Sequence, residues 1–149
     1  MLTNARLAEL LTVTATIDPV SQAPGAITTG WLSAAMHERF LATVQTGILG
    51  AGATIDAKLQ QATDNAGTNA KDVAGKAIVQ IVKATGDNKQ ALINLRAEEL
   101  DMFNNFTFFR LSVTVGVAAS LVSAVVQAGV PKTAPASSIN QAGVVQNIA

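Results

Sequence analysis

Between Ala53 and Gln60 the chain alternates strictly. Ala53, Ile55, Ala57 and Leu59 are small or apolar, and Thr54, Asp56, Lys58 and Gln60 between them are polar. A period of two puts one set of side chains on a single face of an extended strand. A helical face needs steps of three and four, and from Ile55 those land on Lys58 and Leu59, one polar and one apolar. Alanine and glutamine favour helix by intrinsic propensity, but the pattern here contradicts it. The run then enters "TDNAGTNAKD" (63–72), rich in Asn, Asp, Gly and Thr. Their side chains compete for backbone hydrogen bonds and favour turns, so no helix passes through.

The same period recurs along the chain. "LTVTATID" (11–18) alternates apolar residues with threonine. "ERFLATVQTG" (38–47) sets Phe40, Ala42 and Val44 on one face. Val73, Ile78, Val79, Ile81 and Val82 form a β-branched segment, with a bulge or bend expected at Gly75. "ATGDNKQ" (84–90) is a second turn, where Gly86, Asp87 and Asn88 suit positive φ. "QALINLRA" (90–97) places Ala91, Ile93, Leu95 and Ala97 together. "LRAEELDMFNNF" reads as a short helical turn closed by Asn104-Asn105. "TFFRLSVTVG" (107–116) puts Phe109, Leu111, Val113 and Val115 inward. Residues 119–128 fit a strand with Val122, Ala124 and Val126 inward, or an alanine-rich helix. Short strands spaced by turns specify an all-β fold: a single antiparallel β-sandwich or barrel-like domain of about seven or eight strands, with extended termini. The expected organisation is an N-terminal strand and connecting arm over 1–29, a sandwich core over 30–130 and an extended tail over 131–149. Within the arm, "PVSQAPGAITTG" (19–30) reads as a connection.

Composition narrows the function. There is no cysteine, which excludes disulfides and thiolate metal sites, and one histidine, His37, which reads as a strand-edge residue. Ten basic and ten acidic residues balance, which argues against a nucleic-acid partner, because phosphate binding rests on clustered Lys and Arg. No apolar run approaches the roughly 18 residues of a membrane helix; residues 113–130 come nearest, broken by Thr114, Ser120, Ser123 and Gln127. "MLTNARLAELL" has no long apolar core of a secretory signal. Ser, Thr, Asn and Gln total 40 residues against 20 charged ones. A free protein keeps its surface wet with charge, so a neutral, uncharged-polar surface points to life in an assembly.

Each candidate chemical site fails on its pattern. "GILGAGATI" (47–55) lacks the spacing of a phosphate-binding glycine loop and opens a strand. "DNAGTNAKD" (64–72) has Ala66 where a calcium loop needs a ligand, and no closing glutamate. Glu98, Glu99 and Asp101 form the only acidic cluster, on a predicted exposed turn with Arg96 beside it. No nucleophile–base pattern is present. The reading is therefore non-enzymatic, with no cofactor, no metal and no small-molecule substrate. The residues singled out are interface candidates. Trp31, the only tryptophan, suits an anchor, and Val144, Val145 and Ile148 are the late apolar residues of a tail able to grip a neighbouring subunit.

Residues 30–129 resemble a group of small virion proteins of tailed bacteriophages. The likeness rests on a "W-x-S" strand (Trp31, Ser33), the "L-x-Q-A-T-D" run (Leu59 to Asp64) and a "K-x-I" strand (Lys76 to Ile78). It continues in the "E-L-D" turn (Glu99, Leu100, Asp101), the "F-x-x-x-R-L" strand (Phe106, Arg110, Leu111) and a final "A-x-V-V" strand. The resemblance implies a capsid cement or decoration protein. It would lie on the capsid surface of a virion after synthesis in the host cytoplasm, bound to the major capsid protein and to copies of itself. A tail or head–tail junction component is the alternative. A carbohydrate-binding sandwich would display aromatic platforms, whereas tyrosine is absent here.

Overall fold

A computed structural model describes residues 4–148. A short helix α1 (Leu7–Leu10) leads into β1 (Leu11–Gln22), followed by β2 (Gly25–Thr28), β3 (Leu32–Ser33), β4 (His37–Thr46), β5 (Thr54–Ala62), β6 (Lys71–Ala77) and β7 (Ile81–Val82). A helical turn α2 (Lys83–Gly86) precedes β8 (Gln90–Arg96), and β9 (Phe108–Gly116) and β10 (Ser120–Pro131) complete the strands. The fold is all-β, as the alternation requires. Two open antiparallel sheets face each other, one ordered β1-β10-β4-β8, the other β2-β9-β5-β6 with β3 added on β9 and β7 on β5. Among the described residues there are ten strands rather than seven or eight. The surplus comes from β7, a separate short strand cut from the β-branched segment, and from β2, which lies in the stretch read as a connection; β3 falls on the strand expected at Trp31 and Ser33.

The 53–60 alternation becomes β5. Ile55, Ala57 and Leu59 are buried, and Asp56, Lys58 and Gln60 lie on the outer side. The strand ends where Asp64 Oδ1 accepts the Ala66 and Thr68 amides at 3.0 and 2.9 Å. Asn69, with φ of 57°, turns the chain back into β6. The bulge expected at Gly75 is present. Lys58 pairs with Ala77 while Gln60 pairs with Asp72, so β6 carries surplus residues around Gly75 at φ of 72°. The predicted β-branched segment is nonetheless split, at residues 78–80 between β6 and β7. Val79 falls between β6 and β7 and is 91% exposed. In the second turn only Asn88 takes positive φ; Gly86 instead ends the α2 turn.

Residues 119–128 are strand, not helix. β10 lies between β1 and β4 and pairs with both. Its alanines, Ala124 and Ala128, are buried in line with Val122 and Val126, so packing overrides their helical propensity. β1 runs past Pro19 because the register with β10 slips between Ile17 and Val20, leaving the proline outside the ladder. The core between the sheets centres on Phe109, whose ring meets Phe40 edge-on at 4.6 Å, surrounded by Val44, Ile55, Leu59, Leu95, Leu111 and Val126. His37, read as a strand-edge residue, is buried. Thr12 Oγ1 donates to the Ala136 carbonyl at 2.7 Å, so His37 Nε2–H donates to Thr12 Oγ1 at 3.2 Å. No helix among the described residues is long and apolar enough to cross a membrane.

Candidate interaction surfaces

The two sheets present opposite chemistries to solvent. On the six-stranded sheet, outward positions of β5, β6 and β9 form one polar chain. Lys58 Nζ donates to Asp72 Oδ2 at 2.8 Å, Gln60 Nε2 to Asp72 Oδ1 at 3.1 Å, and Arg110 Nε to Gln60 Oε1 at 2.9 Å. The Arg110 guanidinium then lies 4.5 Å from the Trp31 ring. Lys58 and Gln60 together hold the Asp72 carboxyl below its usual range. Trp31 is half-buried beneath the 63–70 turn. A Cβ on Gly67 would sit 2.5 Å from Trp31 Nε1, so only glycine admits the ring there.

A second cluster ties the acidic turn to β5 and β6. Gln61, buried, accepts the Asp101 amide at 2.8 Å. Asp101 binds Lys71 and accepts from Asn104 Nδ2 at 3.0 Å. Lys76 Nζ meets Glu99 Oε2 at 2.8 Å, and the Arg96 amide donates to the same oxygen at 2.8 Å. The Lys76 hydrogen bond, then that amide, pull the Glu99 pKa down to about 2. Both carboxylates are fixed as anions by lysines, the opposite of the raised pKa a general acid needs. Glu98 pairs outward with Arg96 at 3.0 Å. Among the described residues no three His, Cys, Asp or Glu side chains gather as a metal-binding group.

The four-stranded sheet differs. Its outer face reads, across the ladder, Val13–Gln127–Leu41–Asn94, then Thr16–Val125–Thr43–Leu92, then Ser123–Gln45–Gln90. None of these side chains is charged. Charge stands at the margins of this face: exposed Asp18 accepts from Thr16 Oγ1 at 3.0 Å on the β1 side, and Arg39 faces Arg96 at the other end. The β1 edge of this sheet is covered by the chain's own tail. After a 3-10 turn at Ala136–Ile139, Asn140 Oδ1 accepts the Val13 amide at 2.8 Å and the Gln141 amide donates to the Val13 carbonyl at 2.9 Å. Val144 lies partly covered in a depression with Leu7, Leu11 and Val13, while Val145 and Ile148 are 87% and 86% exposed.

The structure therefore separates the sequence-derived candidates. Trp31 belongs to the charged outer face of one sheet, and Val144, Val145 and Ile148 follow a tail fastened to the edge of the other. Sequence reading missed two features. The Trp31–Arg110–Gln60 contact joins residues far apart in the chain and leaves no local signal. The uncharged outer face was legible in principle: Thr43, Gln45, Ser123, Val125 and Gln127 are the polar or β-branched alternates of strands whose inward set was recognised.

No protein-family model matches the chain, and no curated protein matches it. Among solved structures the fold is similar to a chain of the Cowpea mosaic virus top component, naturally occurring empty particles. That match has 11% identity and a TM-score of 0.44, and covers 87% of this chain and 88% of that one. A Triatoma virus chain matches at 11% identity and a TM-score of 0.43, over 91% and 74%. The CBM22-1 xylan-binding domain of Paenibacillus barcinonensis Xyn10C matches at 14% and 0.41, over 83% of each chain. Virus chains and a xylan-binding domain stand together at this level. The likeness carries no functional conclusion.

Proposed function

We propose that this chain is a non-enzymatic structural protein of a tailed-phage virion, a cement or decoration protein that binds the outside of the assembled head. The observation that carries this reading is the uncharged centre of the outer face of the four-stranded sheet, where Thr16, Val125, Thr43 and Leu92 form one row between Val13–Gln127–Leu41–Asn94 and Ser123–Gln45–Gln90. A face kept permanently in water would be interspersed with Lys, Glu, Arg and Asp. Lys58, Lys71 and Lys76 are instead engaged with Asp72, Asp101 and Glu99 around the six-stranded sheet and its turns, where these pairs fasten the fold. The sequence motifs shared with small virion proteins fall on those same fastenings, at Trp31, Gln60 to Asp64, Lys76, Glu99 to Asp101 and Arg110.

In this reading the uncharged face rests on the major capsid protein. Val144, Val145 and Ile148 engage a neighbouring subunit, and Trp31 holds the 63–70 turn in place. Each contact is modest, and repetition over a shell supplies avidity. No cofactor, nucleic acid or small-molecule substrate takes part. The test is quantitative mass spectrometry of purified full particles from the virus that encodes the chain. A copy number matching the whole shell is expected. Six or twelve copies would move the protein to the tail or the head–tail junction, and absence from purified particles would overturn the reading.

A further inference from the structure

The four-stranded sheet has two edges, and only one is closed. At β1 the tail binds Val13 on both its amide and its carbonyl, and two register slips and Pro19 further break the strand. At the other end of the sheet β8 pairs with β4 without a slip from Gln90 to Arg96, and among the described residues no strand pairs with its far side. The Thr46 amide donates to the Lys89 carbonyl, which fixes the phase of the antiparallel ladder. Residues 91, 93 and 95 therefore turn their backbone groups toward β4, and Gln90, Leu92, Asn94 and Arg96 turn theirs outward. Among the described residues, only the Arg96 amide of this outward set is occupied, by Glu99 Oε2. Natural sheets guard such edges with proline, bulges, lysine or a covering loop. Between Gln90 and Asn94 β8 has none of these, and Leu92 is 60% exposed at its centre.

We propose that the outer edge of β8 is a self-pairing edge at which a second copy of this chain docks antiparallel, joining two four-stranded sheets into one continuous sheet. The occupant follows from the strand's own symmetry. A twofold axis at Ile93 sets Leu92 opposite the partner's Asn94 and Gln90 opposite the partner's Arg96, so every outward residue of the strand meets an outward residue. It also brings the Lys89 end of each strand beside the partner's Glu98, a pairing of opposite charges. Glu98 pairs within its own chain with Arg96 at 3.0 Å but leaves 61% of its side chain exposed to a second cation, and Lys89 is exposed with no ion pair among the described residues. Joining the sheets also makes the two uncharged outer faces continuous. This inference specifies the self-association in the reading above. It is tested apart from it, because dimerisation in solution needs no virion.

The experiment is sedimentation equilibrium on the full chain and on two variants, Leu92→Pro and Leu92→Lys. The Leu92 amide points away from β4, so proline there removes an outward donor and leaves the intramolecular ladder intact. Far-UV circular dichroism and thermal midpoints verify that each variant is folded. The wild-type chain is expected at twice 15.3 kDa, and both folded variants at the monomer mass, with dimer affinity weakened at least about tenfold. Amide hydrogen exchange is expected to show protection at Leu92 and Asn94 in the wild type and its loss in Leu92→Lys, a readout that stands if the proline variant misfolds. A monomeric wild type, or a Leu92→Lys dimer with unchanged protection, overturns the proposal. A β8 dimer found for a chain absent from particles would retain this inference and discard the virion reading.

Discussion

Replacing Gly67 by alanine tests how the 63–70 turn is held. Two costs add at this position. Gly67 has φ of +86°, where an L-residue loses about 1–2 kcal/mol. Its new Cβ would stand 2.5 Å from Trp31 Nε1 and 2.9 Å from Cε2, closer than real contacts allow, so the indole must move. Moving it breaks the stacking of Arg110 at 4.5 Å, worth about 0.5–1 kcal/mol at an exposed site. The expected loss is about 2–3 kcal/mol, or a fall in thermal midpoint of roughly 5–10 °C for a chain of this length. Gly75→Ala provides the control. Its φ is +72° and nothing lies within 4 Å of the added Cβ, so it carries the backbone cost alone. Trp31 is the only tryptophan, so its fluorescence reports this site without background. Gly67→Ala is expected to shift the emission to longer wavelength, and Gly75→Ala to leave it unchanged. Equal losses of stability in the two variants, with identical emission spectra, would refute the packing of Trp31 under the turn.

Three further outcomes follow from the same contacts. Phe109→Ala empties a fully buried site against Phe40 and is expected to cost about 3–5 kcal/mol in urea unfolding, a large share of a typical domain's stability. Stability should decline with acidification in two stages, read by thermal unfolding. The first starts as pH falls below His37's ordinary value of 6.5, because burial lowers its pKa in the fold and the unfolded chain binds that proton more readily. The second runs from about 4.5 toward about 2 as Glu99, depressed by Lys76, is protonated; Glu99→Gln should flatten it, by roughly 1 kcal/mol after solvent screening. Truncation after Thr133 removes the Ala136 and Asn140 contacts to β1, and is expected to lower stability by about 1–3 kcal/mol and to expose a new edge that associates on a native gel.

The strands were legible wherever one face is buried and the other wet, since only then does the period show. β4, β5, β8 and β9 are of this kind, and their inward residues are those the alternation selects. β10 was ambiguous because Ala124 and Ala128 serve equally in a helix; only its two flanking partners decide the matter. β2 was hidden because its pairing with β9 depends on distant chain, not on local pattern, whereas the short β3 coincides with the strand expected at Trp31 and Ser33. His37 was misread for a related reason. Its burial depends on Thr12 and Ala136, brought to it by β1 and by the tail. Of the candidate surfaces, the apolar tail residues were visible as composition. The place where the tail fastens was not, because the Val13–Asn140 bond spans most of the chain.

Subunit-resolution imaging of the native particle is the decisive measurement. The chain is expected to repeat over the head, with Thr43, Val125 and Leu92 buried against neighbouring protein and the Trp31 face toward solvent. A particle that lacks the chain, or one in which the uncharged sheet faces water, would contradict that arrangement.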